Sequence, residues 1–470
     1  MAAVGLSTRA ALPNRDTSLI AAASAASVVL AATAVYSPKY AVAVVVAAGV
    51  LVLAFRRLAL AVGVFVVFTF PEHLPGSLGA GATVAKPLGA VLALAWLASV
   101  VAERGARPLL PRDHPKLFWA VTAFVLLAMT SAIWATDFSP LRYNMTRLVP
   151  DVVLLLIVYT AATSAKAFRI IVWSFLIGSI VTAGYSIVTG GYAASGRLSA
   201  LFDPNYFAAR LIGAILIALF IALTTSSNRV RGAAAAVFLV DTIAFALTQS
   251  RGGIVGLAAA LVAAVAVAGA ARPRVLAATL ALVALGAGYY VLAAPAHISG
   301  SFSTSLSGAS AGRSDEWRIA LRVFENHPLS GVGLGNYPVV EPSYSTQTVN
   351  LNFVRYIVND QLVAHNSYLE IAAELGIAGL ALFLAIVISP AVLAGRALSS
   401  AARAPNDLEF YARGLLAGAI GMFVAYIFLS AQYEKDLWLV LGLLAAVPAL
   451  LDWRGLRSER GSVSTSYASR

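Results

Sequence analysis

The sequence predicts an all-α polytopic membrane protein, and three observations carry that prediction. Sixty per cent of the residues are hydrophobic and 11% are charged, with a mean hydropathy of +0.83, whereas a soluble chain of this size needs far more charge on its surface. Apolar runs of about 17 to 25 residues recur, the length at which a helix crosses the hydrocarbon of a bilayer. The runs are continuous rather than alternating, which argues against transmembrane strands.

The runs place about 14 transmembrane helices at 18–36, 40–55, 58–70, 84–102, 117–134, 149–163, 168–189, 206–225, 232–249, 254–271, 275–294, 366–392, 409–431 and 437–452. Arg9 and Arg15 before the first run mimic a signal peptide. That run is too long for a signal h-region and further spans follow, so it is read as the first span. The second and third runs are short.

Lys and Arg gather in alternate loops: Arg9 and Arg15; Arg56 and Arg57; Arg104, Arg107, Arg112 and Lys116; Lys166 and Arg169; Arg229 and Arg231; Arg272 and Arg274; Arg396, Arg403 and Arg413; and Arg454, Arg457, Arg460 and Arg470. The positive-inside rule puts these loops and both termini in the cytoplasm. The net charge of +12 is then mostly topology, and no nucleic-acid partner is expected. The chain has no cysteine, which excludes disulfides, zinc–thiolate sites and thiol nucleophiles.

Topology gives no reason for the basic residues left on the outer side: Lys39, Lys86, Arg142, Arg147, Arg197, Arg210, Arg251, Arg313, Arg318, Arg322, Arg355 and Lys435. The single long loop is outside as well. The expected organisation is therefore a bundle of the first 11 spans (1–294), an extracytoplasmic loop carrying site elements (295–365), three last spans (366–452) and a disordered cytoplasmic tail (453–470). Within the loop, Ser299 to Gly312 is rich in Ser and Gly and reads as flexible. Ser314 is placed to cap a helix with Asp315 and Glu316 in its first turn. Trp317, Ala320, Leu321 and Phe324 share one face of it, opposite Arg318, Arg322 and Glu325, predicting a short amphipathic helix. His327-Pro328 ends that helix, and Gly331, Gly333 and Gly335 predict a turn that brings backbone close to something.

The stretch Val363 to Glu370 is the richest in chemistry. His365 stands where this polar loop meets a membrane helix. An imidazole of ordinary pKa can accept a proton from a hydroxyl at neutral pH, and the alternative is a packing or capping histidine. Asn366 is a candidate N-cap for the next helix. Glu370 and Glu374 follow one turn apart, and an acid as deep as Glu374 calls for a buried partner.

Ser250-Arg251-Gly252-Gly253 is a tight turn in which an arginine can grip phosphate and glycines let it approach the backbone. The alternative is a snorkelling anchor. Gly196-Arg197-Leu198-Ser199 and Phe202-Asp203-Pro204-Asn205-Tyr206, with Arg210 one turn on, set two arginines near a helix N-terminus, a plausible anion site. Asp203-Pro204-Asn205 is equally ordinary turn chemistry. Arg313 and Lys86 are further candidates on the same side, with snorkelling the stronger reading of Lys86. Asp241 lies in mid-span and fits an ion path or a buried pair. No HExxH, DxD-like or dense acidic cluster occurs on the outer side, so neither a metal nor any other cofactor is expected.

In order along the chain, Phe202-Asp203-Pro204-Asn205, Ser250-Arg251-Gly252-Gly253, Gly312-Arg313 with Trp317, His327-Pro328-Leu329-Ser330-Gly331-Val332-Gly333-Leu334-Gly335-Asn336, and His365-Asn366-Ser367-Tyr368-Leu369-Glu370 resemble the O-antigen ligase/polymerase family of bacterial surface-polysaccharide enzymes. The resemblance spans roughly residues 195–430 and implies a GT-C-like, lipid-linked glycosyltransferase. It implies a polyprenyl-pyrophosphate-linked glycan as donor, a glycan or glycolipid hydroxyl as acceptor, and no metal. It implies that His365 activates the acceptor and that Arg251 and Arg313, with Arg197, Arg210 and Lys86, hold the pyrophosphate. Asn366, Glu370, Asp203 and Asn205 support them, and either Glu434 or Asp436 fills the place of a late acid. Other envelope-assembly proteins are candidate partners. The rival reading is a polysaccharide or small-anion transporter using Asp241 and the outer arginines. It calls for pseudo-symmetric halves and helices broken near mid-membrane, and the sequence displays neither. A non-catalytic scaffold in an assembly complex is the third reading.

Overall fold

A computed structural model of the chain describes residues 45, 49–70, 85–102, 108–193, 196–200, 203–293, 309–348, 351, 362–401 and 407–467. The predicted first span, half of the second, Phe202 and most of the Ser- and Gly-rich stretch from Ser299 lie outside them. The named α-helices are α1 (Leu58–Thr69), α2 (Ala85–Ala102), α3 (Leu110–Asp113), α4 (Pro115–Thr130), α5 (Phe138–Ala161), α6 (Ala165–Thr189), α7 (Pro204–Thr224), α8 (Asn228–Thr248), α9 (Arg251–Val267), α10 (Arg272–Ala293), α11 (Ala309–Asn326), α12 (Tyr337–Ser345), α13 (Ser367–Ala401), α14 (Asp407–Ala425) and α15 (Lys435–Tyr467). Among the described residues, β structure is limited to one bridge between Tyr192 and Leu198. Eight helical stretches are long and apolar enough to cross a membrane, and three shorter helices, at Leu58–Thr69, Ala85–Val101 and Arg251–Val267, are apolar too. The protein is an all-α, multi-pass membrane protein. Helices suit that solvent because each closes its own backbone hydrogen bonds, which lipid cannot do for it.

The centre of the bundle is α7, buried from Phe207 to Ile221 apart from Arg210. Its sequence allows this because small residues face its neighbours. A Cβ on Gly418 of α14 would fall 2.9 Å from the Gly213 Cα, and one on Gly414 would fall 2.8 Å from the Ile217 Cα. Gly256 of α9 and Gly421 of α14 meet in the same way, each within 2.7 Å of the other's carbonyl oxygen. Helices in lipid gain most from such close backbone approach, since apolar side chains are equally content in the lipid. At the far end from the loop, Arg413 pairs with Glu409 and donates to the free carbonyls of Val267 and Leu398, tying three helix ends together.

Several elements differ from their sequence-based expectations. The helix predicted from 149 starts at Phe138. The polar run Ser139 to Arg147 reads as loop by hydropathy, but Asp137 caps it by accepting from the Ser139 N–H (2.8 Å). The loop helix α11 begins at Ala309, five residues before Ser314, because Ala309 and Ala311 extend it. Its buried stripe is Asp315, Glu316, Ile319, Ala320 and Val323, while Leu321 is exposed. The face is rotated because α11 packs on α12 and α13 rather than lying on lipid. The backbone of α15 stays helical to Tyr467, into the segment expected to be a disordered tail, with no proline after Pro448 to stop it.

The sharpest difference is in α13. The sequence reads as one continuous apolar helix, yet Gly376 is non-helical (φ 65°, ψ −166°) and breaks it. Residues 328–333 dock into the break. Ile377 donates to the Pro328 carbonyl (2.8 Å), Val332 to that of Ala373 (3.0 Å) and Gly333 to that of Glu374 (2.8 Å). Irregular backbone at this depth survives because it is buried in protein with its polar groups paired. This is what the three alternate glycines are for: Gly331 (φ 63°) leaves no room for a Cβ, which would fall 2.2 Å from the Glu374 carbonyl carbon. A Gly331→Ala substitution combines positive φ with that overlap, so it should cost on the order of 3 kcal/mol. Thermal unfolding in detergent should show the loss. Gly184→Ala, whose Cβ would meet nothing within 4 Å, should unfold like wild type.

Candidate functional site

The site forms where the loop meets the ends of α7, α8, α9 and α13. His365 occupies the last turn before α13, with φ 47°. That left-handed conformation costs a non-glycine residue about 1–2 kcal/mol, so its surroundings must impose it. Asn366 caps α13, its Oδ1 accepting from the N–H groups of Tyr368 and Leu369 (3.1 Å each). Ser367 donates from both its N–H and its Oγ to the Leu429 carbonyl (2.7 Å each), and its Oγ accepts from the Ala431 N–H (2.8 Å). Glu370 is buried; it accepts from the Ala364 N–H (3.0 Å), from Gln432 Nε2 (2.7 Å) and from Ser430 Oγ. The histidine turn is thus fastened on both sides to the strap 429–432. Deeper in α13, Glu374 accepts from the Tyr337 N–H (3.5 Å) and Tyr433 Oη (3.4 Å), which supplies the buried partners its position demands.

The arginine cluster is built by caps. Asp203 caps α7, accepting from the N–H groups of Asn205 (2.7 Å) and Tyr206 (3.1 Å). Ser250 caps α9, accepting from the Gly253 N–H (3.1 Å), and donates from Oγ to Asn205 Oδ1 (2.9 Å). Arg197 donates Nη2 to the same Asn205 Oδ1 and Nε to the Thr248 carbonyl (2.8 Å each). Asn205 is therefore the hinge that joins Arg197 to the turn holding Arg251. Burial lowers the pKa of Arg197, and the charges of Arg313 and Arg251 lower it further, against Asp203. Burial likewise lowers that of Arg313, with Glu316 and Asp203 opposing and Arg251 reinforcing. Arg197, Arg251, Arg313 and Asp203 thus feel one another's charge. His365 belongs to the same group, held below its ordinary value by burial and by Arg313, with Asp203 working the other way. The imidazole is neutral at pH 7 and able to accept a proton, and its Nδ1 is buried with no hydrogen-bond partner among the described residues. Glu316, one turn from Arg313, is pushed up to about 7 by burial.

Other expectations need correcting. The glycines after Arg251 serve packing rather than phosphate approach. A Cβ on Gly252 would lie 2.7 Å from Phe428 Cβ, and one on Gly253 2.9 Å from that of Ala208. Phe428 in turn meets Trp317 of α11, their ring centroids 5.8 Å apart. Arg210 is engaged by acids from a distant part of the chain, Asp436 and Glu434 (3.4 Å). Both late acids therefore meet one arginine. Lys86 is exposed in the first turn of α2, and is not among the residues the bonds above join. Asp241 is buried and accepts from Ser179 Oγ (2.7 Å). The sequence reading counts Arg147 only as an outer-side cation and passes over Tyr206. Arg147 pairs with Glu434 (3.2 Å), and Tyr206 donates to the Ser430 carbonyl (2.9 Å). The available signal was their helical spacing: Tyr143 and Arg147, and Asp203, Tyr206 and Arg210, each share a face.

Fold and site together define a multi-pass membrane protein with a neutral histidine and three arginines gathered under a loop at one end of the bundle. Residues 234–384 match the family model described as O-antigen ligase, the family its motifs resemble. The match includes Arg251, Arg313, His365, Glu370 and the glycine turn. No curated protein matches the chain.

The electrostatics can be read directly. Carbon-13 labelling of the five histidines and NMR titration should give His365 a pKa below 6.5. Arg313→Gln removes a repelling charge and should raise that value; Asp203→Asn removes an attracting one and should lower it. No movement in Arg313→Gln would break the link between the arginine and the base.

Proposed function

We propose that the protein transfers a glycan from a polyprenyl-pyrophosphate donor to a sugar hydroxyl, as a lipid-linked ligase or polymerase of surface polysaccharide. The observation that carries this reading is a chain of neighbouring charges in which Arg251 acts on Arg197 and Arg313, and Arg313 acts on His365 at the junction of loop and helix. The O-antigen ligase match supports it. In this reading the chain sits in the bacterial inner (plasma) membrane as about fourteen GT-C-like spans, with both termini cytoplasmic and the site on the extracytoplasmic face.

His365 removes the proton of the acceptor hydroxyl as its oxygen bonds to the anomeric carbon. The bond from that carbon to the pyrophosphate oxygen breaks, and the electron pair leaves with the lipid pyrophosphate. Arg251, Arg313 and Arg197 stabilise the growing charge with guanidinium groups fixed before reaction, so the chemistry needs no metal. Base and leaving group lie on opposite sides of the reacting carbon, which predicts inversion. Asn366 and Glu370 hold the base, while Asp203 and Asn205 hold the arginines. The rival transporter reading calls for broken helices, but the break at Gly376 is filled by the loop rather than opened to a path.

Proteoliposomes test the proposal. They would hold a purified polyprenyl-pyrophosphate glycan pool, a glycolipid and glycan extract of the same cells as acceptor, and EDTA. Wild type should give a product of higher mass. His365→Ala should lose about 10²–10⁴-fold, the range for general-base catalysis, and Arg251→Ala about 10²–10³-fold. Since protonated His365 cannot act as base and its pKa is held below the ordinary histidine value, wild-type activity should persist through the usual histidine range and fall only at lower pH. Full activity in His365→Ala would rule out the histidine as base.

A further inference from the structure

The arginine cluster accounts for one side of His365. The histidine turn is also flanked by the strap 429–436, to which Glu370 and Ser367 bond it. Two residues beyond Gln432, Glu434 bridges Arg147 (3.2 Å) and Arg210 (3.4 Å). Arg147 rises from α5 between two rings, 5.9 Å from the Tyr143 centroid and 5.5 Å from that of Tyr433. It also donates to the Tyr433 carbonyl (3.4 Å). Tyr143 is 63% exposed and the Arg147 side chain 36%. These residues stand on the stretch of α5 that precedes its apolar run, about 15 Å of helix at 1.5 Å per residue. Among the residues of this stretch, Arg142, Tyr143 and Thr146 are exposed.

We infer that Tyr143, Arg147 and Glu434 form the subsite for the acceptor glycan. The inference rests on the proposed transfer and deepens it. Inversion requires the acceptor to approach the anomeric carbon from the face away from the pyrophosphate, and beside the arginine cluster the strap is the segment fastened to the histidine turn. Its chemistry suits a pyranose. An exposed aromatic face takes the C–H face of a sugar ring, and a planar arginine–carboxylate pair offers donors and acceptors together for neighbouring hydroxyls. Glu434 also neutralises Arg147 and Arg210, which disfavours a second pyrophosphate there.

The test uses the full-length protein in the same proteoliposomes, with donor pool and acceptor extract titrated separately. Tyr143→Ala and Arg147→Ala should each raise the half-saturating amount of acceptor extract about tenfold while that of the donor stays within twofold. Tyr143→Trp should restore it. Tyr143 is exposed enough that its truncation leaves the core alone, so a lost acceptor preference is not lost folding. Wild-type transfer with acceptor half-saturation unchanged in both variants overturns the subsite and spares the transfer reading. A rise confined to the donor also overturns it, by giving Arg147 to the donor. A wild type that transfers nothing overturns the reading and the subsite with it.

Discussion

The backbone bonds between residues 328–333 and the broken turn of α13 are what the rest of the site depends on. Lipid offers no partner to an exposed amide, so a helix interrupted in mid-course has to be repaired from within the protein. Here the repair is made by a loop, and the loop is thereby fixed to the bundle. The same segment reaches α5, where Asn336 accepts from the Asp137 N–H (2.7 Å) and returns Nδ2 to the Asp137 carbonyl (3.0 Å). Ser131 Oγ accepts from the Leu334 N–H (3.0 Å). Ile319, Val323, Val332, Tyr337, Ala364 and Ala373 then close a small core beside His365. A polar loop is turned into a rigid wall.

The site also costs stability. His365 has a strained backbone, and Arg197 and Arg313 are partly stripped of water among like charges. Neither would persist alone. Bonds from Glu370, Ser367, Asn366 and Asn205 hold them. Groups held in place this way need not reorganise when charge develops, which is how preorganised sites lower a barrier. The strap 429–436 is economical in that respect, since one segment fastens the histidine turn through Ser430 and Gln432 and engages Arg147 and Arg210 through Glu434.

Much of this was legible in the sequence. Among the described residues, continuous apolar runs coincide with the eight helices long and apolar enough to cross a membrane, because hydrophobic length is a direct requirement of the bilayer. Alternating glycines announced a close backbone approach at 331–335, and His365 and Asn366 stood out at a loop-to-helix junction. Asn366 could be recognised as a cap because capping is decided within four residues, whereas Asp203 and Ser250 read only as turn residues and proved to be caps as well. Polarity misled where tertiary contacts intervene: Ser139 to Arg147 reads as loop yet is helix, and Gly376 sits in a run that reads as unbroken.

By itself, the sequence determined the class of protein, the order of its helices and the residues able to hold anions or accept protons, all of which follow from local composition. Only the tertiary structure decided how those residues are grouped. Arg210 and Asp436 lie 226 positions apart, as partners on different helices. Glu370 reaches Ser430 across 60 positions, and Arg147 reaches Glu434 across 287. The physical reason is that hydropathy and capping act over one helix or one turn, whereas the pairing of buried charges is set by which helix ends the packed bundle brings together.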